Sequence, residues 1–211
     1  MQKPQLPVGI YGMTAEKFSR GRTNLEVAQQ MIDGGIRLIQ YREKRSEKSA
    51  AAILAECAAI REYTRQAGVL FIVNDYVDIA MLVDADGVHV GQDDLPVPEV
   101  RRLIGFDKLI GLSTHSPAQL TAAIAVGADY IGVGPIFTTA TKGDAGDPVG
   151  LRYLDHVRQN SPLPFVAIGG IKEQSLNAVL DHGARTVCLV SEIVGSDNIT
   201  ETVRRLQSHW T

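Results

Sequence analysis

Apolar and polar positions follow two rhythms along this chain. Short apolar runs rich in β-branched residues recur at 8–13, 36–42, 69–73, 87–90, 109–112, 129–133, 164–168 and 186–190. Between them, stretches of helical period fall at about 24–33, 46–66, 76–83, 97–103, 117–126, 151–159, 172–181 and 197–209. Local signals agree with these boundaries. Thr23 or Asn24 opens the first helix, Gly34-Gly35 closes it, and Ser116-Pro117 opens the fifth. Gly127-Ala128 and Gly183-Ala184 end later helices and lead directly into Asp129-Tyr130-Ile131 and Arg185-Thr186-Val187. Strict alternation of strand and helix predicts a parallel sheet. No strand is left over and no linker interrupts the eight units, which favours a single-domain α/β fold over residues 1–211, a (β/α)₈ TIM barrel.

In such a barrel the site lies in the loops after the strands. The stretch Asn74–Asp94 places two such loops in succession, one ending a strand at Asn74-Asp75 and the next at Gln92-Asp93-Asp94. Parallel neighbours bring both carboxylate-bearing ends to one edge, where they repel unless a cation or a proton sits between them. Mg²⁺ suits such a pair, since it takes one or two carboxylates and completes its shell with phosphate oxygens and water. Asp75 could instead cap the following helix and Asp94 could serve a turn before Pro96. Spacing does not choose between Asp93 and Asp94.

Gln40, Arg42 and Lys44 recur at every second position, so an extended strand turns all three to the face shared with Leu38. Ile39 and Tyr41 then face the helices. An amide and two cations at a barrel mouth suit a polar heterocycle and a phosphorylated group. If the strand stops at Tyr41, the charges splay into solvent. The segment 132–150 has no apolar run after Phe137 and reads as a lid, with Thr139, Thr141 and Lys142 offering donors to phosphate. Gly169-Gly170 and Val190-Ser191 end the last two strands, where barrels often hold a phosphate.

Composition narrows the partners. The chain has 211 residues, 45% apolar and 21% charged, with a net charge of −3, so neither nucleic acid nor an anionic membrane is expected. No apolar run reaches bilayer length, and the first residues lack the core of a signal peptide, so a cytoplasmic protein is expected. Homo-oligomerisation stays open. Cys57 and Cys188 read as buried thiols and His89 as a hydrogen-bonded core residue, while His115 helps shape the mouth. No Ser/His/Asp arrangement, cysteine nucleophile or zinc-ligand spacing is evident.

The strand ends QYREK at 40–44, ND at 74–75, ADGVHVGQDDLP at 85–96, GLSTH at 111–115, GADYIGVGPIFTTATK at 127–142 and AIGGI at 167–171 closely resemble the thiamine-phosphate synthase family. The resemblance covers about residues 20 to 193. It implies a transferase of thiamine biosynthesis on a (β/α)₈ barrel, with small-molecule substrates. These are 4-amino-2-methyl-5-(diphosphooxymethyl)pyrimidine and a thiazole ethyl phosphate, with or without a carboxylate, joined with release of pyrophosphate. Carried across by position, it implies that Gln40, Tyr41, Arg42, Glu43, Lys44, Asn74, Ser113 and Lys142 hold the pyrimidine diphosphate. Thr139, Ala140, Thr141, Gly170, Val190 and Ser191 would hold the thiazole phosphate. Asp75 and Asp94 would bind one Mg²⁺ per active site, and Arg42, Lys44, Ser113 and Lys142 would be the catalytic groups. A thiazole tautomerase or a non-catalytic binder of thiamine precursors is the alternative within this resemblance. The chain departs from the family pattern at Ala15, Thr138 and Glu192.

Overall fold

The structure is a computed structural model that describes residues 3–139, 141 and 146–210. Its parallel strands are β1 (Gly9–Ile10), β2 (Gly12–Met13), β3 (Leu38–Tyr41), β4 (Leu70–Asn74), β5 (Gly87–Val90), β6 (Leu109–Thr114), β7 (Tyr130–Val133), β8 (Phe165–Ile168) and β9 (Thr186–Cys188). They run in the order β1-β9-β8-β7-β6-β5-β4-β3-β2. Because β1 pairs with β9 and β2 with β3, the single stretch Gly9–Met13 joins both ends of the sheet. Its break falls at Tyr11, whose N–H donates to Val187 O at 2.9 Å. The expected eight-stranded barrel is therefore closed, with its first strand divided in two.

Helices α1 (Asn24–Asp33), α2 (Ala50–Ala67), α3 (Val77–Leu82), α4 (Val97–Ile104), α5 (Pro117–Ala125), α6 (Gly150–Asn160), α7 (Glu173–Asp181), α8 (Val190–Val194) and α9 (Ile199–Gln207) follow the strands. The capping signals act as their chemistry dictates. Thr23 accepts from Glu26 N while Glu26 reaches back to Thr23 N, and Ser116 accepts from Gln119 N. The run expected as strand to residue 190 ends at Cys188, since Val190–Val194 coils into α8. Helix α2 starts at Ala50 behind a Ser49 cap, four residues later than the pattern suggested.

Two apolar layers result. Outward-facing strand residues such as Ile39, Tyr41, Phe71, Val73, Val88 and Ile131 pack against the helices. Tyr11, Met13, Leu38, Ile72, Leu109, Tyr130, Val166 and Cys188 fill the barrel interior. At the N-terminal end of the barrel, aspartates pin neighbouring strands together. Asp86 Oδ2 accepts Phe71 N at 2.8 Å and pairs with Arg61 through both guanidinium nitrogens. Asp129 Oδ2 accepts Ile110 N at 2.7 Å and pairs with Arg101 and Lys3. Charge at this end holds the barrel, and charge at the other end is left for chemistry.

Candidate active site

A cavity of about 660 Å³ opens at the C-terminal ends of the strands. Gln40, Arg42 and Lys44 all line it, although the strand itself ends at Tyr41. The loop beyond β3 is held so that the alternation persists. Arg42 N donates to Thr14 Oγ1 at 3.0 Å. The Tyr76 hydroxyl accepts Arg45 N at 2.8 Å and donates to Glu43 O at 3.0 Å, so it brackets Lys44 on both sides.

The side chains of Tyr41 and Glu43 leave this group, because alternation turns them toward the helices. Tyr41 donates to Glu56 Oε2 at 2.7 Å, and Glu43 Oε1 accepts from Glu16 N and Asn24 Nδ2. Together with Lys48 these residues form a polar cluster behind the loop. Neither the Tyr41 nor the Glu43 side chain lines the cavity; both lie behind the loop that carries Arg42 and Lys44.

Asn74 and Asp75 line the cavity beside Asp93 and Asp94. Asp75 does not cap α3; that position is Tyr76, which makes no side-chain cap. Asp75 instead adopts a left-handed backbone, φ +60°. Burial first, and then the charge of Asp94 and a hydrogen bond between the two carboxyls, push the Asp75 carboxyl up to about 6, against the opposing pull of Lys44 and Arg42. Asp94 Oδ2 also accepts Gly91 N at 2.7 Å, so it closes its own turn while facing Asp75. Two neighbouring carboxylates whose charges repel each other form a donor set suited to a hard cation. Among the described residues no group of three acidic, histidine or cysteine ligands completes such a site, so the remaining positions would fall to water and phosphate oxygens. The residues present fit Mg²⁺ on those terms.

Ser113, Thr139, Thr141, Gly170, Val190 and Ser191 line the same cavity. Ser113 Oγ lies 3.0 Å from His89 Nε2, and Thr141 N donates to Thr139 Oγ1 at 3.2 Å. Gly170 has φ +64°, and a Cβ there would lie 2.5 Å from Thr138 O, so only glycine lets this turn pass under the β7 loop. Lys172 donates to Ser191 Oγ at 3.1 Å and pairs with Glu192 at 3.0 Å, which gives the family departure at Glu192 a local partner. Ala140 and Lys142 lie outside the described residues. In the ring of strands, β8 and β9 stand across from β4 and β5, so the glycine–serine cradle faces the carboxylate pair.

Several lining residues were not singled out as site residues from the sequence: Tyr11, Met13, Gln92, Tyr130, Asp147 and Cys188. Tyr11 and Tyr130 carry a legible signal, since each is a polar-tipped aromatic at an inward strand position. His89 is hydrogen-bonded, as expected of a core residue, and it also lines the cavity. Cys57 and Cys188 are both buried free thiols, and burial pushes the Cys188 thiol up to about 12.

Comparison with known proteins bears on this arrangement. A family model described as thiamine monophosphate synthase matches residues 10–193. The thiamine-phosphate synthase of Pelotomaculum thermopropionicum is 59% identical over 203 residues, covering 96% of this chain and 92% of that protein. That of Lawsonia intracellularis is 52% identical over 202 residues, with 96% and 92% covered. Among solved structures, a thiamine phosphate pyrophosphorylase from Pyrococcus furiosus superposes with a TM-score of 0.87 at 30% identity, covering 96% of this chain and 95% of that one. The chain belongs to the thiamine monophosphate synthase family, and its activity is that of a thiamine-phosphate synthase, a transferase of thiamine biosynthesis.

Proposed function

We propose that the enzyme joins 4-amino-2-methyl-5-(diphosphooxymethyl)pyrimidine to a thiazole ethyl phosphate by a dissociative substitution that releases pyrophosphate. The observation that carries this reading is the Asp75–Asp94 pair standing beside Arg42 and Lys44 in one cavity. Cleaving the C–O bond to the diphosphate builds negative charge on the leaving group and positive charge on the pyrimidine methylene. Arg42 and Lys44 meet the first as it develops, and Ser113 and Asn74 donate hydrogen bonds to the same group. Lys142, placed by the family resemblance, would add a third cation from the lid. Mg²⁺ held by Asp75 and Asp94 would neutralise the diphosphate when bound.

The aminopyrimidine ring delocalises the positive charge, so the protein needs no nucleophile or base. Gln40 holds the ring at the cavity wall. Gly170, Val190 and Ser191, with Thr139 and Thr141, hold the thiazole phosphate on the far side, so that its ring nitrogen stands over the electron-poor carbon. Tyr41 and Glu43 act behind the loop, through Glu56, Asn24 and Glu16.

The test is to supply both substrates and Mg²⁺ and to follow pyrophosphate and thiamine phosphate together. Product should require both substrates and vanish on chelation. Turnover that survives a chelator would remove the metal from the scheme, and absence of product with all components present would overturn the reading.

A further inference from the structure

A continuous line of hydrogen bonds crosses the cavity floor. Gln40 Nε2 donates to the Tyr11 hydroxyl at 2.9 Å, and Tyr11 and Tyr130 hydroxyls meet at 2.9 Å. Tyr130 Oη lies 3.1 Å from His89 Nδ1, and His89 Nε2 lies 3.0 Å from Ser113 Oγ. The line connects β3, the break between β1 and β2, β7, β5 and β6. The backbone is shaped around it. A Cβ on Gly111 would lie 2.2 Å from Tyr130 Cζ and 2.3 Å from His89 Nδ1. Burial raises both phenols well above their ordinary range, so each keeps one proton to give.

With one proton per hydroxyl and a neutral His89 imidazole, such a line has two self-consistent directions. When the Gln40 nitrogen gives to Tyr11, Tyr11 gives to Tyr130 and Tyr130 gives to His89 Nδ1. His89 then carries its proton on Nε2 and gives it to Ser113, whose own proton is free to point into the cavity. In the reverse direction, Ser113 gives to His89 and Tyr11 gives to the amide oxygen, which turns the amide nitrogen to the ligand side. The structure has the first arrangement at Gln40. Gln40 is 1% exposed. Its Oε1 has no hydrogen-bond partner among the described residues. A buried acceptor in that state costs free energy until a donor reaches it.

We propose that Tyr11, Tyr130 and His89 are positioning residues that fix the polarity of Gln40 and Ser113, and so select a 4-aminopyrimidine over its 4-oxo counterpart. The exocyclic amine supplies the donor that Oε1 lacks, while a 4-oxo ring sets an acceptor against an acceptor. This rests on the reading of Gln40 as the pyrimidine contact. A hydroxyl that fixes an amide's direction contributes to choosing a substrate without touching it.

The test compares dissociation constants for the 4-amino- and 4-oxo-pyrimidine diphosphates in wild type, Tyr11→Phe and Tyr130→Phe, each with Mg²⁺. Wild type should favour the amino compound by about a hundredfold or more, and each variant should shrink that preference by about tenfold or more. An equal loss for both compounds, or an unchanged ratio, would overturn the relay. The His89 tautomer, read by ¹⁵N NMR in wild type, decides the matter even if the variants do not fold. Protonation at Nε2 is expected, and protonation at Nδ1 reverses the line and overturns the proposal. Wild-type turnover of the amino compound is the control. Its absence would overturn the reaction assigned above, whereas turnover with unaltered discrimination in the variants overturns the relay alone.

Discussion

At the scale of residues, Asp75 is constrained by both its backbone and its neighbours. Its left-handed backbone is one that Asp and Asn tolerate better than most side chains. The turn that sets it is tied to the sheet, since Asp75 N donates to His89 O at 2.8 Å. Asp75→Asn keeps that backbone and removes a half-buried charge from beside Asp94. Chelated variant protein should therefore melt a few degrees above chelated wild type in calorimetry at neutral pH. Its turnover with Mg²⁺ should fall by about a hundredfold or more, while Asp93→Asn costs much less. The reverse order of the two activity losses would move the ligand from Asp94 towards Asp93 and undo part of the site. Strand alternation made Gln40, Arg42 and Lys44 legible in the sequence, and it also turned Tyr41 and Glu43 outward. The Tyr11–Tyr130 contact was not legible: it joins residues 119 apart, and periodicity shows that both face inward without showing that they meet.

At the scale of elements, the two ends of the barrel separate stability from chemistry. Asp86 precedes β5, accepts the Phe71 amide of β4 and holds Arg61 of α2 through paired contacts of 2.7 and 3.1 Å. Asp86→Ala leaves a buried guanidinium uncompensated and should cost on the order of 3 kcal/mol in denaturant unfolding. Substrate KM values should not change, because the active cavity opens at the other end. Behind the β3 loop, Glu56 answers differently to acid. Burial raises its carboxyl, but hydrogen bonds from Lys48, Asn24 and Tyr41 outweigh that and hold it below its ordinary value. Stability from a depressed carboxylate is present above the unfolded pKa and is lost as pH falls through the folded one. Glu56→Gln should therefore lower the melting temperature at neutral pH, and the gap to wild type should narrow below about pH 4. A gap that stays constant down to pH 3 would show that the carboxylate charge contributes nothing. Most element boundaries were readable because caps and apolar periods agree. Helix α8 was not, since five residues following an apolar strand carry too little period to separate the two.

At the scale of the whole molecule, charge sets how the substrates arrive. The chain carries a net −3, yet both of its proposed substrates are phosphorylated anions. The described residues lining the cavity include the cations Arg42 and Lys44 and the carboxylates Asp75, Asp93, Asp94 and Asp147, so the carboxylates outnumber the cations. A diphosphate entering this field meets net repulsion unless a divalent cation accompanies it. The glycine–serine cradle across the barrel offers backbone and hydroxyl donors and does not depend on that cation. Chelation should then weaken binding of the pyrimidine diphosphate by about a hundredfold or more and that of the thiazole phosphate by about threefold or less. Titration calorimetry of each ligand alone, with and without Mg²⁺, separates the two effects. With Mg²⁺ present, raising the salt from 50 to 500 mM should weaken the diphosphate only modestly, because the partly buried Asp75 side of the contact is little screened. Equal sensitivity of both ligands to chelation would mean that the cation organises the whole cavity, and the division of the barrel into a metal-dependent half and a metal-independent half would fall.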